Sequence, residues 1–324
     1  MEDINQFYKD KTVVITGAGG YIGGQLVSAL QKTEARIIRV SSQDLPSLDG
    51  VNSFKLDIKT RYCWNEIADK ADIVFHLAGN TSVYAAAKDP LGSLTSTLVP
   101  IVELISAVEE SKRPIKVVYA STVTVYGLTN ELPVNENAIV SPVSLYDLHK
   151  VFAEEQLLFA SKKGILNGVC LRLANVYGPS INKALSNDRG VLNKVTKFAL
   201  EGKDLQLFGG GDFIRDYVFI DDVVHAFLLA GLSMEMRDRS FNVATGKGTT
   251  VGKVFHMVVE QVEAITKHKV DIQSVPFPPG ADPTELRNFV GDIGCIEAVC
   301  GWKPTINLEE GINQLISSFT NSQY

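Results

Sequence analysis

The sequence predicts an α/β fold, a doubly wound parallel sheet followed by a smaller, looser C-terminal lobe. Three observations carry that prediction. Short β-branched runs alternate with longer helical patterns through the first half, as a parallel sheet with helical crossovers requires. A glycine-rich turn joins the first run directly to the first helix. After Tyr177 the alternation loosens and polar loops intervene.

The first strand is "TVVIT" (12–16), followed by the glycines and a helix through about Gln31. "RIIRV" (36–40), "SFKLDI" (53–58) and "ADIVFHLAG" (71–79) read as the next three strands. A helix around "PIVELISAVEESK" leads to the fifth, "IKVVYAS" (115–121). "SLYDLHKVFAEEQLLFASKKG" (144–164) reads as one helix, with Gly164 as its C-cap and Lys162 and Lys163 placed against the dipole. "GVCLRLANVYG" (168–178) is the sixth strand, and "YGPSINKALSNDRG" a polar loop. "LQLFGGGDFIRDYVFIDDV" then gives two short strands around a glycine turn, with a helix after them. Prolines in "VPFPPGADP" (275–283) mark an irregular loop, and the tail ends in an amphipathic helix. The expected partition is a nucleotide-binding domain over 1–176, rejoined by a segment near 216–246, with 177–215 and 247–324 forming the smaller lobe. A ligand belongs in the crevice between them, beyond the carboxyl ends of the strands.

Composition narrows the function classes. The chain has 324 residues, 45% hydrophobic and 21% charged, with a net charge of −6. That is ordinary globular composition, and its mild acidity argues against nucleic acid or an anionic membrane as partner. No apolar run approaches the roughly 18 residues of a membrane span. The polar, acidic start "MEDINQFYKDKT" is unlike a secretory signal. Cys63, Cys170, Cys295 and Cys300 form no CxxC pair and no cluster with the histidines, so no metal site is expected and a cytoplasmic setting fits.

"VVITGAGGYIGGQL" spaces Gly17, Gly20 and Gly23 as GxxGxxG between strand and helix. Gly17 permits the tight turn, Gly20 admits a pyrophosphate to the backbone, and Gly23 lets the helix pack on the strand. The helix N-terminus, from Tyr21 and Ile22, offers amides and a positive dipole end to the phosphates. This is the dinucleotide turn of a Rossmann fold. An acidic residue ending the second strand would favour NAD. Ser41 stands there instead, with Arg39 two residues back, which tilts the cofactor towards NADP and leaves NAD as the alternative. The plainer account of Arg39 is a solvated strand edge. Asp57, with Ile58 beside it, is a candidate for the adenine edge, or else a turn or helix cap.

On the 144–164 helix, Tyr146 and Lys150 are four apart and share a face. Alone, that pair reads as an incidental feature of an amphipathic surface helix. The order of motifs changes the reading. GxxGxxG, "HLAG" (76–79), "ASTVTVYG" (120–127), "YDLHK" (146–150), "LRLANVYGP" (171–179), "RDYVFIDDV" (215–223) and the "GWKP…LEEG" close together resemble the extended short-chain dehydrogenase/reductase family of nucleotide-sugar epimerases, dehydratases and reductases, nearly end to end.

The resemblance implies roles. Tyr146 is the acid/base, and Lys150 lowers its pKa from about 10 by a nearby positive charge and orients the nicotinamide ribose. Thr122, with Ser121 as backup, hydrogen-bonds the reacting sugar oxygen, or else caps its loop. Thr124 and Thr81 face the sugar. Leu77, Ala78 and Gly79 line the cofactor. Asn175 and Arg215 match residues that hold the sugar-nucleotide diphosphate, and Arg287 is similar to the second phosphate arginine, with a surface salt bridge as its alternative. Thr97 stands where the family usually has Asn, and Pro100 replaces a small residue. Dehydratase relatives carry Asp-Glu where this chain has Val123 and Thr124, which disfavours 4,6-dehydration. What remains is hydride chemistry at one carbinol, with epimerase favoured and NADPH-dependent ketoreductase as the alternative. A dinucleotide sensor without catalysis is disfavoured by the intact Thr122, Tyr146 and Lys150. A homodimer through the Tyr-Lys helix is implied, with Leu157, Leu158 and Phe159 serving that contact or the core.

Overall fold

The computed structural model describes residues 2–129, 131–181 and 190–320. In chain order the strands are Thr12–Thr16 (β1), Arg36–Ser41 (β2), Val51–Lys55 (β3), Ile73–His76 (β4), Lys116–Thr122 (β5), Asn167–Leu173 (β6), Asn175–Tyr177 (β7), Leu205–Phe208 (β8), Ile214–Phe219 (β9), Arg239–Val243 (β10), Gly248–Thr250 (β11) and Ile272–Val275 (β12). The helices are Glu2–Tyr8 (α1), Tyr21–Leu30 (α2), Arg61–Ala68 (α3), Val83–Lys88 (α4), Pro90–Thr97 (α5), Val99–Ser111 (α6), Leu145–Lys162 (α7), Val191–Leu200 (α8), Ile220–Leu232 (α9), Val251–Thr266 (α10), Gly294–Cys300 (α11) and Leu308–Thr320 (α12).

Seven strands form one sheet in the order β10-β6-β5-β4-β1-β2-β3, every neighbouring pair parallel. The chain steps outward from β1 to β3, then restarts at β4 on the other side of β1. Connections on the two sides of that reversal leave for opposite faces of the sheet, which opens a crevice at the carboxyl ends of β1 and β4. Strand alternation feeds two cores. Val13 and Ile15 join Leu26 of α2 and Phe227 of α9 on one face. Val14 joins Trp64 of α3, Leu104 of α6 and Leu157 of α7 on the other. A third core unites Tyr177, Phe219, Val258 and Leu315 around the small sheets β11-β9-β7 and β12-β8.

Several elements differ from the sequence reading, each for a tertiary reason. The sixth strand is two: β6 pairs with β5 and β10, the chain turns at Ala174, and β7 pairs with β9 in the second sheet. The third strand starts earlier and ends at Lys55, where its register against β2 runs out at Ser41. β10, which the sequence did not announce, completes the sheet. The polar loop expected over 177–190 falls mostly on residues 182–189, outside the described residues. Helices α5 and α6 run nearly end to end across Leu98, and the stretch Pro90–Ser111 is long and apolar enough to cross a membrane, contrary to the sequence reading. Its buried side, Ile101, Leu104 and Val108, belongs to the second core, so the stretch packs as one flank of the sheet.

Helix α7 ends as its sequence dictates. Gly164 takes a φ of +76°, and the amides of Gly164 and Ile165 donate to Ser161 and Ala160 carbonyls at 2.8 and 3.1 Å. Leu157 faces the core, while Phe159 is exposed.

Candidate active site

The glycine turn lies at the sheet reversal. Gly17 has a φ of +68°, and a Cβ there would sit 2.8 Å from the Ala78 amide, so the ends of β1 and β4 can approach only over a glycine. A Cβ on Gly23 would lie 2.2 Å from the Gly17 carbonyl oxygen, so the first turn of α2 also packs directly on the loop. Gly20 is different: its Cβ would meet only the Gly17 oxygen, at 3.1 Å, and no side chain caps α2. The turn therefore offers an uncapped helix N-terminus with open space before it, the donor set a pyrophosphate requires. Tyr21 is buried and donates its hydroxyl to the Gly178 carbonyl at 2.8 Å, tying α2 to the second sheet, so only its backbone faces the turn's ligand side. Ile22 is half-buried between the first and third cores.

At the end of β2, Arg39 is not a solvated edge residue. It is buried, and it donates to Ser53 Oγ at 2.7 and 3.0 Å and to the Pro46 carbonyl at 2.7 Å. Ser41 is half-buried and accepts from the Gln43 amide. Asp57 is exposed and accepts from the Lys59 amide at 3.0 Å, the turn-capping alternative, while the Ile58 carbonyl accepts from the Trp64 indole. At β4 the Ala78 amide donates to Thr16 Oγ1 at 3.3 Å, with Leu77 and Gly79 half-buried beside it. Thr16 also pairs with His76 Nδ1 at 2.8 Å. Burial, with Lys150 nearby, pushes His76 down to about 3, so the ring that stacks on Tyr119 is neutral.

Tyr146 and Lys150 lie on the first two turns of α7, whose N-cap is Ser144. The Lys150 ammonium is buried, donates to the Ala120 carbonyl at 2.8 Å, and sits 5.9 Å from the centre of the Tyr146 ring and 4.7 Å from that of Tyr119. Burial lowers its pKa to about 8, against the opposing pull of Glu154. Thr122 ends β5, accepts from the Thr124 amide at 3.2 Å and lies 2.9 Å from Thr124 Oγ1. It thus caps its loop, and through Thr124 it is linked to α7, because Thr124 donates to Asp147. Ser121 points to the opposite side of the strand, its buried hydroxyl without a partner among the described residues.

Across the crevice, two arginines divide their tasks. Arg215 spends both terminal nitrogens on backbone carbonyls, Glu285 at 2.8 Å, Thr284 at 3.4 Å, Ile214 at 3.2 Å and Arg287, and so braces the turn at 283–286 that its own carbonyls cannot satisfy. Arg287, held on that turn, is buried, in no salt bridge among the described residues, with Nε and Nη1 lacking any hydrogen-bond partner there. Burial first, then Arg215, lowers it to about 10. Unsatisfied buried donors of this kind cost a few kcal/mol unless a ligand meets them. Asn175 donates to the Asp216 carbonyl at 3.1 Å. Thr81 is exposed before Ser82, the cap of α4, and Tyr84 on that helix reaches Glu285 at 3.1 Å across the mouth. Thr97 is buried at the end of α5 with its hydroxyl unpartnered among the described residues.

Sequence reasoning missed Glu154 and Asp147. Glu154 is buried one turn after Lys150, paired to Arg172 at 2.7 Å with Tyr126 alongside. Its i, i+4 spacing from Lys150 was the available signal. Asp147 is fully buried three residues after Ser144, and the S-x-x-D spacing of a helix start was its signal.

The chain is similar to known proteins along most of its length. A model of the NAD dependent epimerase/dehydratase family matches residues 13–244. The chain is similar to a UDP-glucose 4-epimerase of Mycolicibacterium smegmatis, 30% identical over 95% of this chain and 98% of that one. It is also similar to a dTDP-4-dehydro-6-deoxyglucose reductase of Escherichia coli, 28% identical over 94% and 96% of the two chains. Among solved structures, the Thermus thermophilus UDP-glucose 4-epimerase in complex with NAD superposes with a TM-score of 0.84 at 26% identity, covering 96% of this chain and 99% of that one.

Proposed function

Because the chain belongs to the NAD dependent epimerase/dehydratase family, whose members here include 4-epimerases and a 4-ketoreductase, we propose that it is a nucleotide-sugar 4-epimerase acting on a UDP-sugar. The observation that carries this reading is the Tyr146–Lys150 pair, with a buried ammonium 5.9 Å from the phenol ring and Thr122 at the end of the neighbouring strand. Tyr146 takes the proton of the sugar carbinol and later returns it. Lys150, held by the Ala120 carbonyl with Glu154 one turn on, keeps a positive charge near the phenol and favours its anion. Gly17, Gly20 and the uncapped start of α2 would hold the pyrophosphate of a nicotinamide dinucleotide, which would supply the hydride acceptor and donor for the carbinol carbon. Arg287 supplies charge-assisted hydrogen bonds to the substrate diphosphate, and Arg215 positions it. Thr81 and Asn175 complete the sugar and diphosphate contacts. Val123 and Thr124 supply no carboxylate pair for dehydration.

NADPH-dependent 4-ketoreduction is the second reading, and Ser41 is the observation that favours it, since no carboxylate there repels a 2′-phosphate. The engagement of Arg39 by Ser53 and Pro46 weakens that support. The lobe from 177–215 and 247–324 is read as the nucleotide-sugar side. Cytoplasmic residence and a homodimer through the outer faces of α6 and α7, where Val102, Phe152 and Phe159 are exposed, belong to the same proposal.

The test is Tyr146→Phe with UDP-glucose as probe. Interconversion with its C4 epimer should fall at least about 100-fold, the scale of a lost acid/base, while dinucleotide affinity stays within about twofold. Turnover that survives would remove Tyr146 from the reaction.

A further inference from the structure

The Lys150 ammonium carries the charge on which the proposed chemistry depends, yet few groups in the core hold it. Of its three N–H donors, one meets the Ala120 carbonyl at 2.8 Å, its single hydrogen-bond acceptor among the described residues. Glu154, one turn on along α7, makes no ion pair with it among those residues. That carboxylate is engaged by Arg172, with contacts of 2.7, 3.1 and 3.2 Å. What faces the ammonium instead is a ring. Tyr119, on β5, has the centre of its phenol ring 4.7 Å from Lys150 Nζ, nearer than the 5.9 Å to that of Tyr146.

The hydroxyl of Tyr119 is not what the lysine meets. It is buried and has no hydrogen-bond partner among the described residues. Burial also holds it protonated, well above the ordinary tyrosine range. An orphan hydroxyl in the core is a cost, so a packing role alone favours an aliphatic side chain there. An aromatic ring gives something else, the negative face of its π-system, whose attraction for a cation strengthens as water is excluded. Its neighbours fix that ring. The His76 imidazole stacks on it at 5.8 Å and 21°, and Thr16 Oγ1 holds His76 at 2.8 Å. Trp64 makes an edge contact with His76 at 5.7 Å.

We propose that Tyr119 is a positioning residue for the reaction, its ring face holding the Lys150 ammonium charged and in place beside Tyr146. Lys150 in turn favours the Tyr146 phenolate, and Tyr146 alone exchanges the carbinol proton. The other groups around the pair leave this task to the ring. His76 is neutral, and burial holds the Cys170 thiol on β6 protonated. Arg287 adds positive charge near Tyr146 from the lobe, and does so whatever stands at position 119.

This inference rests on the roles proposed above for Tyr146 and Lys150, so the experiment reads the lysine directly as well as turnover. Tyr119→Phe keeps the ring and deletes the orphan hydroxyl. Phenylalanines with one, two and three ring fluorines at position 119 keep the shape and weaken the negative face step by step. Lys150 is followed by NMR of isotope-labelled lysine in the cofactor-free protein, with Lys150→Met identifying its resonance. The ring favours the charged form, so weakening it lowers the pH at which Lys150 loses its proton. Tyr119→Phe should titrate as the parent does, and successive fluorines should move the Lys150 titration progressively down. With UDP-glucose as probe, kcat/KM at pH 7 should stay within about threefold of the parent in Tyr119→Phe and fall about three- to tenfold across the fluorinated series. The acid limb of its pH profile should move up, because the phenolate has lost support. A Lys150 titration that is the same across the fluorinated series overturns the proposal, as does Tyr119→Phe shifting it as far as the trifluorinated ring. A titration that moves while the acid limb stays fixed overturns the link to Tyr146. If the parent turns over no nucleotide sugar, the functional reading fails, and the Lys150 titration still decides whether the ring holds the charge.

Discussion

Lys150→Met should make the protein more stable and inactive. Lys150 is 4% exposed, and its pKa is lowered to about 8 from 10.5, chiefly by burial. At about 1.36 kcal/mol per unit, keeping that ammonium charged inside the fold costs about 3 kcal/mol at neutral pH. Removing it also leaves the Ala120 carbonyl without its donor, a loss of about 1 kcal/mol or more. A net gain of about 1–2 kcal/mol follows at pH 7. The sign of the pH dependence is fixed by linkage: between about pH 8 and 10.5 the unfolded chain binds the proton that the folded chain has lost, so the parent gains stability as pH rises through that window. The Met variant lacks that gain. Urea unfolding of both proteins at pH 7 and pH 9.5, followed by circular dichroism, measures it. The two should differ most at pH 7 and converge at pH 9.5. A Met variant less stable than the parent at pH 7, by an amount that does not change with pH, would refute the buried-charge account of Lys150.

Other consequences follow from the same contacts. Glu154→Ala strands the Arg172 guanidinium in the core and should cost about 3–5 kcal/mol in urea unfolding, whereas Glu154→Leu with Arg172→Met should recover most of it. Gly23→Ala drives a Cβ to 2.2 Å from the Gly17 carbonyl, and should abolish dinucleotide binding in a fluorescence titration before it abolishes folding. Arg287→Ala should weaken UDP binding in calorimetry by about 10–100-fold, the scale of charge-assisted hydrogen bonds. Unchanged affinity would show that its unpaired nitrogens do not face the diphosphate.

The sheet was legible where the determinants are local. β1, the glycine turn and α2 are a contiguous stretch, and the spacing of Gly17 and Gly23 already encodes which atoms must approach. Tyr146 and Lys150 share a helical face by periodicity alone. Distant pairing was not legible. Nothing local tells the chain to leave the main sheet at Ala174, because that break depends on β10 and β9, more than forty residues later in the case of β9's partner Tyr217. The two arginines of the lobe carry the same charge in sequence, and only the turn at 283–286 distinguishes Arg215, which donates to backbone, from Arg287, whose donors stay unpaired. Asp147 was missed because its second partner, Thr124, lies 23 residues away. Arg39 read as a solvated edge because its hydrogen-bond partners, Ser53 across the β2–β3 pair and the Pro46 carbonyl, lie 14 and 7 residues away.

An epimerase keeps and recycles its cofactor, whereas a ketoreductase exchanges it. Denaturing the purified protein and counting released dinucleotide by chromatography tests the epimerase reading most directly. An epimerase predicts close to one NAD or NADP per chain, with UDP-sugar interconversion that needs no added cofactor. A chain that releases none, and that consumes NADPH stoichiometrically with a 4-keto sugar nucleotide, would contradict it and make the protein a ketoreductase.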